Sequence, residues 1–305
     1  MRTSFLILAL FFASPLVAQT HRDTLWFDAI NGNYIIQYIG EGDTLVTVVF
    51  EPATKVNPII ISKVERVTNE DTLIYFYEIK NGEESRQNLL SFEIEYKANV
   101  SDATTNRWYS RKVFDGKLEN NRWLTFDAMR WRWSGDQGLQ PTWRKDGFAL
   151  KSKSVPGIVN AYFQGLAKEY GTPDGGPFSD VHLEVLKLMD FPRNYVIRKT
   201  VGPVLPLEPF VPLAFLDTLM SYKHQAFALG WIKNQGIVTS LDQKLDNAKA
   251  QLQRNNKTAA RNMLHAFINE VEALNKGGGP QGGGQITSEA YALLKFNAEY
   301  LISKL

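Results

Sequence analysis

The sequence predicts an α+β chain of more than one domain: an antiparallel β-sandwich in front and a three- to four-helix bundle behind. Three observations carry this reading. Short runs of β-branched and aromatic residues, separated by Asn, Gly and Asp, occupy the first two thirds of the chain. Amphipathic stripes at helical spacing occupy the last third. Between them Val201–Pro212 holds four prolines. The expected division is therefore 1–18 as a signal peptide, 19–200 as the β-sandwich, 201–212 as a semi-rigid proline-rich link and 213–305 as the helical bundle.

Met1–Ala18 has the layout of a secretory signal. Arg2 supplies the positive start, Phe5–Ala13 the apolar stretch, and Leu16-Val17-Ala18 ends on a small residue before Gln19. At about a dozen apolar residues interrupted by Pro15, the run is too short to span a bilayer. No second hydrophobic stretch follows, so the expectation is export to the periplasm or outside the cell, with no integral membrane segment once the signal is removed. The 305 residues, 44% hydrophobic, suffice for one medium domain and a small one, or for two medium domains. A formal net charge of +2 argues against a dedicated nucleic-acid binder, which needs a strong basic excess. The chain has no cysteine, which excludes disulfides, thiol catalysis and Cys-type zinc sites.

In the β region, Asn31-Gly32, Gly40–Asp43, Asn69-Glu70-Asp71 and Asn81-Gly82 read as hairpin turns, because Asn and Gly tolerate positive φ. Strands are expected between them at Tyr34–Ile39, Leu45–Phe50, Ile59–Val67 and Leu73–Ile79. Ser91–Lys97 reads as a half-buried strand, with Phe92, Ile94 and Tyr96 alternating with Glu93, Glu95 and Lys97. Val155–Phe163 and His182–Met189 are expected to supply later strands, and Gly171–Asp180 an exposed loop.

The helical region divides into three clear rods. Ser240, with Gln243 three residues on, has capping-box spacing, and Leu241, Leu245, Ala248 and Leu252 then share a face. The polar tract Arg254-Asn255-Asn256 ends that rod. A second runs from about Thr258 to Leu274 on a stripe of Ala260, Met263, Leu264, Phe267, Ile268 and Val271. The third follows Thr287 as N-cap, with Glu289 in the first turn and Ala290, Leu293, Leu294, Leu301 and Leu305 as its apolar face. Gly277–Gly284 lies between the last two and reads as a slack tether. Gln285 and Ile286 follow it, where a phosphate loop would carry Lys and Ser or Thr.

Gly230-Trp231-Ile232, Leu241–Ala248, Ala266–Ala273 and Ala290–Leu301 together resemble the FIMAH-type helical module, which stands at the C-terminus of many secreted bacterial proteins. The resemblance covers about residues 230–305, and the run Ala266-Phe267-Ile268-Asn269-Glu270-Val271-Glu272-Ala273 is its most specific part. It implies an accessory bundle without catalysis. The β region resembles only uncharacterised secreted bacterial proteins.

The most unusual feature is the pairing of Arg with Trp. Arg107-Trp108, Arg122-Trp123, Arg130-Trp131-Arg132-Trp133 and Trp143-Arg144 hold five of the seven tryptophans. On a strand, Arg130 and Arg132 share one face and Trp131 and Trp133 the other. One reading makes Trp108, Trp123, Trp131, Trp133 and Trp143 a platform for stacking sugar rings, with the arginines and Asp127 or Asp136 holding hydroxyls and Arg stacked on Trp. The other makes the tryptophans core. Residues 101–151 carry ten Lys and Arg against six Asp and Glu, an excess of four and too few for a phosphate track.

The histidines His21, His182, His224 and His265 are scattered without metal spacing, and no Gly-x-Ser-x-Gly, His-Glu-x-x-His or phosphate-loop pattern is present. Asp115, Glu119, Asp127 and Asp136 are candidates for a glycosidase pair, and Asp174 and Asp180 for calcium, but neither set has diagnostic spacing. The sequence thus predicts a secreted, non-enzymatic binding or accessory protein without cofactor, its partner a polysaccharide or another surface protein. A structural or assembly role through the bundle or a sheet edge, and a hydrolase of unrecognised type, are the alternatives.

Overall fold

The computed structural model describes residues 23–105, 108–119, 122–133, 137–171, 180–190, 193–276 and 284–305, without the side chains of 114–119 and 122–125. The expected signal segment, His21, Arg107, Asp136, Asp174 and all of the glycine-rich loop except Gly284 lie outside the described residues. The chain forms two compact units: Met1–Phe50 with Tyr170–Val185, and Glu51–Glu169 with Leu186–Leu305.

In the first unit, β1 (Thr24–Asp28), β2 (Asn33–Ile39) and β3 (Leu45–Phe50) form an antiparallel sheet in that order. The β1–β2 turn uses Gly32 at φ 64°, in the left-handed region that the Asn-Gly pair predicts. One face buries Ile36, Tyr38 and Phe50, and Phe50 meets Tyr170 edge-on at 5.7 Å.

In the second unit, β4 (Pro58–Arg66), β5 (Leu73–Asn81), β7 (Ser101–Asp102) and β10 (Arg144–Ser152) form a sheet ordered β4-β5-β10-β7. A second sheet, ordered β12-β11-β6-β9-β8, contains β6 (Leu89–Tyr96), β8 (Tyr109–Glu119), β9 (Arg122–Arg132), β11 (Val155–Gly165) and β12 (Val196–Val204). Every pairing in both sheets is antiparallel. Rings from the two sheets meet in the layer between them. Tyr77 lies 6.2 Å from Trp131, and Phe92 4.7 Å edge-on to Phe148. This is the expected sandwich.

Three local expectations are corrected. His182–Met189 is not a strand but the larger part of helix α1 (Asp180–Met189), which buries only Val185 and carries Asp180 in its first turn. Leu, Glu, Lys and Met are strong helix formers, and they outweigh the alternation of His182–Leu188. Strand β6 is not half-buried. It lies in the middle of its sheet, and Glu93 (0% exposed) and Glu95 (7%) are buried with Phe92 and Ile94. Both carboxylates find partners on neighbouring strands, as burial requires. Finally, Val201–Val204 complete β12, which pairs with β11 as far as Val155↔Val204, and Pro212 opens the next helix.

The helical region contains α2 (Pro212–Ala228), α3 (Gln235–Gln253), α4 (Lys257–Asn275) and α5 (Ser288–Lys304). Pro at the first position of α2 sacrifices no helical hydrogen bond. The α3 start is corrected from Ser240 to Asn234, whose Oδ1 accepts the N–H of Ile237 at 3.1 Å. An earlier cap wins because it brings Ile237 and Val238 into the helix on its buried face. Asn256 caps α4 and Thr287 caps α5, each accepting the amide three residues on. Every residue of the expected α5 stripe is buried. The bundle packs on the sandwich through α5: Asn297 donates to Pro156 O at 2.8 Å, and Arg66 on β4 pairs with Glu299 at 3.0 Å.

Candidate functional site

Strand β9 separates the Arg–Trp run into two surfaces, because side chains alternate along a strand. Trp131 (0% exposed) points into the sandwich, stacks on Phe92 at 5.0 Å and donates its indole N–H to Thr104 Oγ1 at 2.7 Å. Trp108 is buried beside Phe148, at 5.1 Å, and Trp133 packs edge-on against Trp108 at 5.1 Å. Trp131 and Trp108 belong to the core, and Trp133 packs half-buried against it. Trp143 is exposed, just before β10 on the other sheet, and the Trp123 side chain lies outside the described residues. The five tryptophans therefore share no exposed platform. Arg does not stack on Trp among the described residues; the cations that lie over rings are Arg66, Lys295 and Lys304. Alternation is the reason, since it sends the two residue types to opposite faces.

The arginines converge on the outer face of the five-stranded sheet. Register places Tyr109 on β8 opposite Arg132, Arg111 opposite Arg130, and Arg130 in turn opposite Glu93 on β6. Arg130 Nε donates to Glu93 Oε1 at 2.6 Å, and its Nη2 pairs with the same oxygen. Tyr195 hydroxyl lies 3.4 Å from Arg130 Nη2. Beyond Glu93 comes Tyr162 on β11, whose ring meets Phe126 at 5.0 Å and Tyr195 edge-on at 6.4 Å. Further along the same face, Glu95 Oε2 accepts from Asn160 Nδ2 at 2.9 Å, and Asn160 Oδ1 accepts from Lys199 at 2.7 Å.

The face therefore grades from a buried, hydrogen-bonded interior around Glu93 to an open margin where Tyr109 (60% exposed), Arg111 and Arg132 meet solvent. Pairing holds the Arg130 guanidinium in one orientation, and the neighbouring arginines have room to bind. The arrangement offers an exposed ring and two exposed guanidinium groups, with Arg130 and the buried Glu93 paired behind them. Asp127 is exposed midway along β9, where its pairing with β6 ends. Opposite it on β6, Tyr96 has its phenol pushed up, by burial first and by the Asp127 charge second.

Of the residues singled out in the sequence, Arg130 and Arg132 lie on this face, and Tyr109, Arg111 and Glu93 join them there. Parity along β8 groups Tyr109 with Arg111, but only the β8–β9 register brings them beside the arginines of β9. Among the described residues no group of three or more His, Asp or Glu is placed to hold a metal ion. His224 and His265 are exposed on α2 and α4. Among the described residues no helix is long and apolar enough to cross a membrane.

No curated protein matches the chain. A solved structure described as an uncharacterized protein from Nocardia farcinica with an immunoglobulin-like fold is 8% identical, over 48% of this chain and 98% of its own, at a TM-score of 0.27. A score that low supports no argument here. Residues 219–303, which run from inside α2 to the last turn of α5, match the family model of the FIMAH domain.

Proposed function

We propose that this is an exported, non-enzymatic accessory protein whose β-sandwich binds a glycan through the outer face of the five-stranded sheet. A sandwich followed by a FIMAH domain fits a non-catalytic accessory role. Export rests on the pattern of Arg2, Phe5–Ala13 and Ala18. The observation that carries the glycan reading is the register row Tyr109–Arg132 beside Arg111–Arg130–Glu93. It sets an exposed ring beside exposed guanidinium groups, with Arg130 and the buried Glu93 paired behind them, so a sugar ring stacks on Tyr109 while its hydroxyls accept from Arg111 and Arg132.

The test is affinity electrophoresis of the full chain across a panel of soluble polysaccharides. At least one is expected to retard the wild-type protein, and Tyr109→Ala and Arg132→Ala are expected to abolish the retardation while leaving the melting temperature in place. Migration unchanged by every polysaccharide sinks the reading. So does retardation that survives both substitutions.

A further inference from the structure

A pocket lies where the end of β12 and the following chain meet α2 and α5. Its volume is about 350 Å³, within the range of small-molecule sites. Leu205, Leu207, Phe210 and Phe215 supply apolar wall, and no charged side chain lines it among the described residues. Three polar side chains break that wall; Thr218 donates its hydroxyl to Ala214 O at 3.1 Å, and the other two are open to a ligand.

The first is Asn297, which is 1% exposed. Its Nδ2 donates both hydrogens, to Pro156 O at 2.8 Å and to Leu293 O at 2.7 Å. A flipped amide would set its oxygen against two carbonyls, so the orientation is fixed by chemistry. Oδ1 is thereby left as a buried acceptor to which no described residue donates. Such atoms are uncommon in native interiors and call for an explanation.

The second is Tyr222, whose phenol also lines the pocket and forms no hydrogen bond to a described residue. Burial pushes its pKa up, so the hydroxyl stays protonated and can donate as well as accept. Gly157 on β11 leaves the space beside it clear, since a Cβ there would meet the Tyr222 oxygen at 3.0 Å.

We propose that this pocket binds a small, uncharged, apolar molecule carrying one hydroxyl or amide N–H. Its apolar body fills the space between Leu207, Phe210 and Phe215, its hydrogen goes to Asn297 Oδ1, and a hydroxyl oxygen accepts from Tyr222. An anion is disfavoured, because the leftover acceptor repels it and no cation lines the wall.

Three probes of one shape separate the contributions: p-cresol, 4-methylanisole, which cannot donate, and toluene, which has no polar atom. Binding to the full chain is read by saturation-transfer NMR and by the shift of the Asn297 side-chain amide. We expect p-cresol to bind roughly tenfold or more tighter than either analogue, since a site built around a hydrogen bond rejects ligands that lack it. Thr218→Phe, which fills the pocket from α2, should abolish binding at unchanged melting temperature. Ala214→Phe serves the same purpose should Thr218→Phe fail to fold. Equal affinity for the three probes, no binding by any, or p-cresol binding that persists in a folded pocket-filling variant overturns the proposal.

Discussion

Glu289, in the first turn of α5, accepts the backbone N–H of Ser62 at 2.6 Å, and both residues are buried. Ser62 stands on β4, the outermost strand of the four-stranded sheet. A helix-borne carboxylate thus satisfies the amide of an edge strand where another strand would otherwise be needed. The position near the helix N-terminus also favours its charge.

Removing that acceptor should be costly. Glu289→Ala leaves a buried N–H unpaired and is expected to lower stability by about 2–3 kcal/mol. Glu289→Gln keeps an oxygen in place and should recover part of the loss. Urea denaturation followed by far-UV circular dichroism measures both. A Glu289→Ala change under about 0.5 kcal/mol, the level of an ordinary surface substitution, would show that the contact does not tie helix to sheet.

The tryptophans should separate by accessibility. Trp131→Ala removes a fully buried ring and its bond to Thr104 and is expected to cost about 3–5 kcal/mol. Trp143→Ala, at an exposed ring, should stay within about 0.5 kcal/mol. In acrylamide quenching, losing Trp143 should remove the most accessible emission, and losing Trp108 should not.

Lys223 links α2 to α3 and makes stability depend on pH. Its side chain has no exposed surface, and its ammonium hydrogen-bonds the Asp242 carboxylate. Burial depresses its pKa to about 8, offset in part by the charge of Asp246. The ordinary value of 10.5 applies in the unfolded chain. Between about 8 and 10.5 the unfolded state therefore binds the extra proton, and this group's contribution to stability grows as pH rises. Lys223→Met removes the buried charge, so the variant should be at least as stable as wild type at pH 7, with wild type gaining on it above pH 8. Asp242→Asn, which strands the ammonium, should destabilise by about 3 kcal/mol near neutrality. Melting temperatures recorded at several pH values decide it.

Gly157 faces Gly202 across the β11–β12 ladder, where α2 approaches the sheet. An added Cβ would lie 2.5 Å from Val204 Cγ2 as well as 3.0 Å from the Tyr222 hydroxyl. Gly157→Ala should therefore cost about 1–3 kcal/mol by overpacking, despite its better strand propensity. A thermal melt that shifts upward would show that Tyr222 and Val204 yield freely.

Part of this was legible residue by residue. The α4 and α5 stripes, Thr287 as a cap, the Asn-Gly turn and the opposite faces of Arg130 and Trp131 all follow from local period or side-chain chemistry. The α1 segment was not legible, because alternation and helix propensity disagreed over ten residues and propensity prevailed. The buried side of β6 was hidden as well. A Glu-rich face reads as solvated until Arg130 and Asn160 arrive from neighbouring strands, one to pair with Glu93 and the other to hydrogen-bond Glu95.

Sequence alone determined which residues share a side of a strand or helix, since backbone geometry sets those periods whatever the surroundings. Tertiary packing decided which sides are covered, which strands neighbour one another, and where acceptors such as Asn297 Oδ1 remain unpaired. Those outcomes depend on contacts between residues far apart in the chain, which no local pattern encodes.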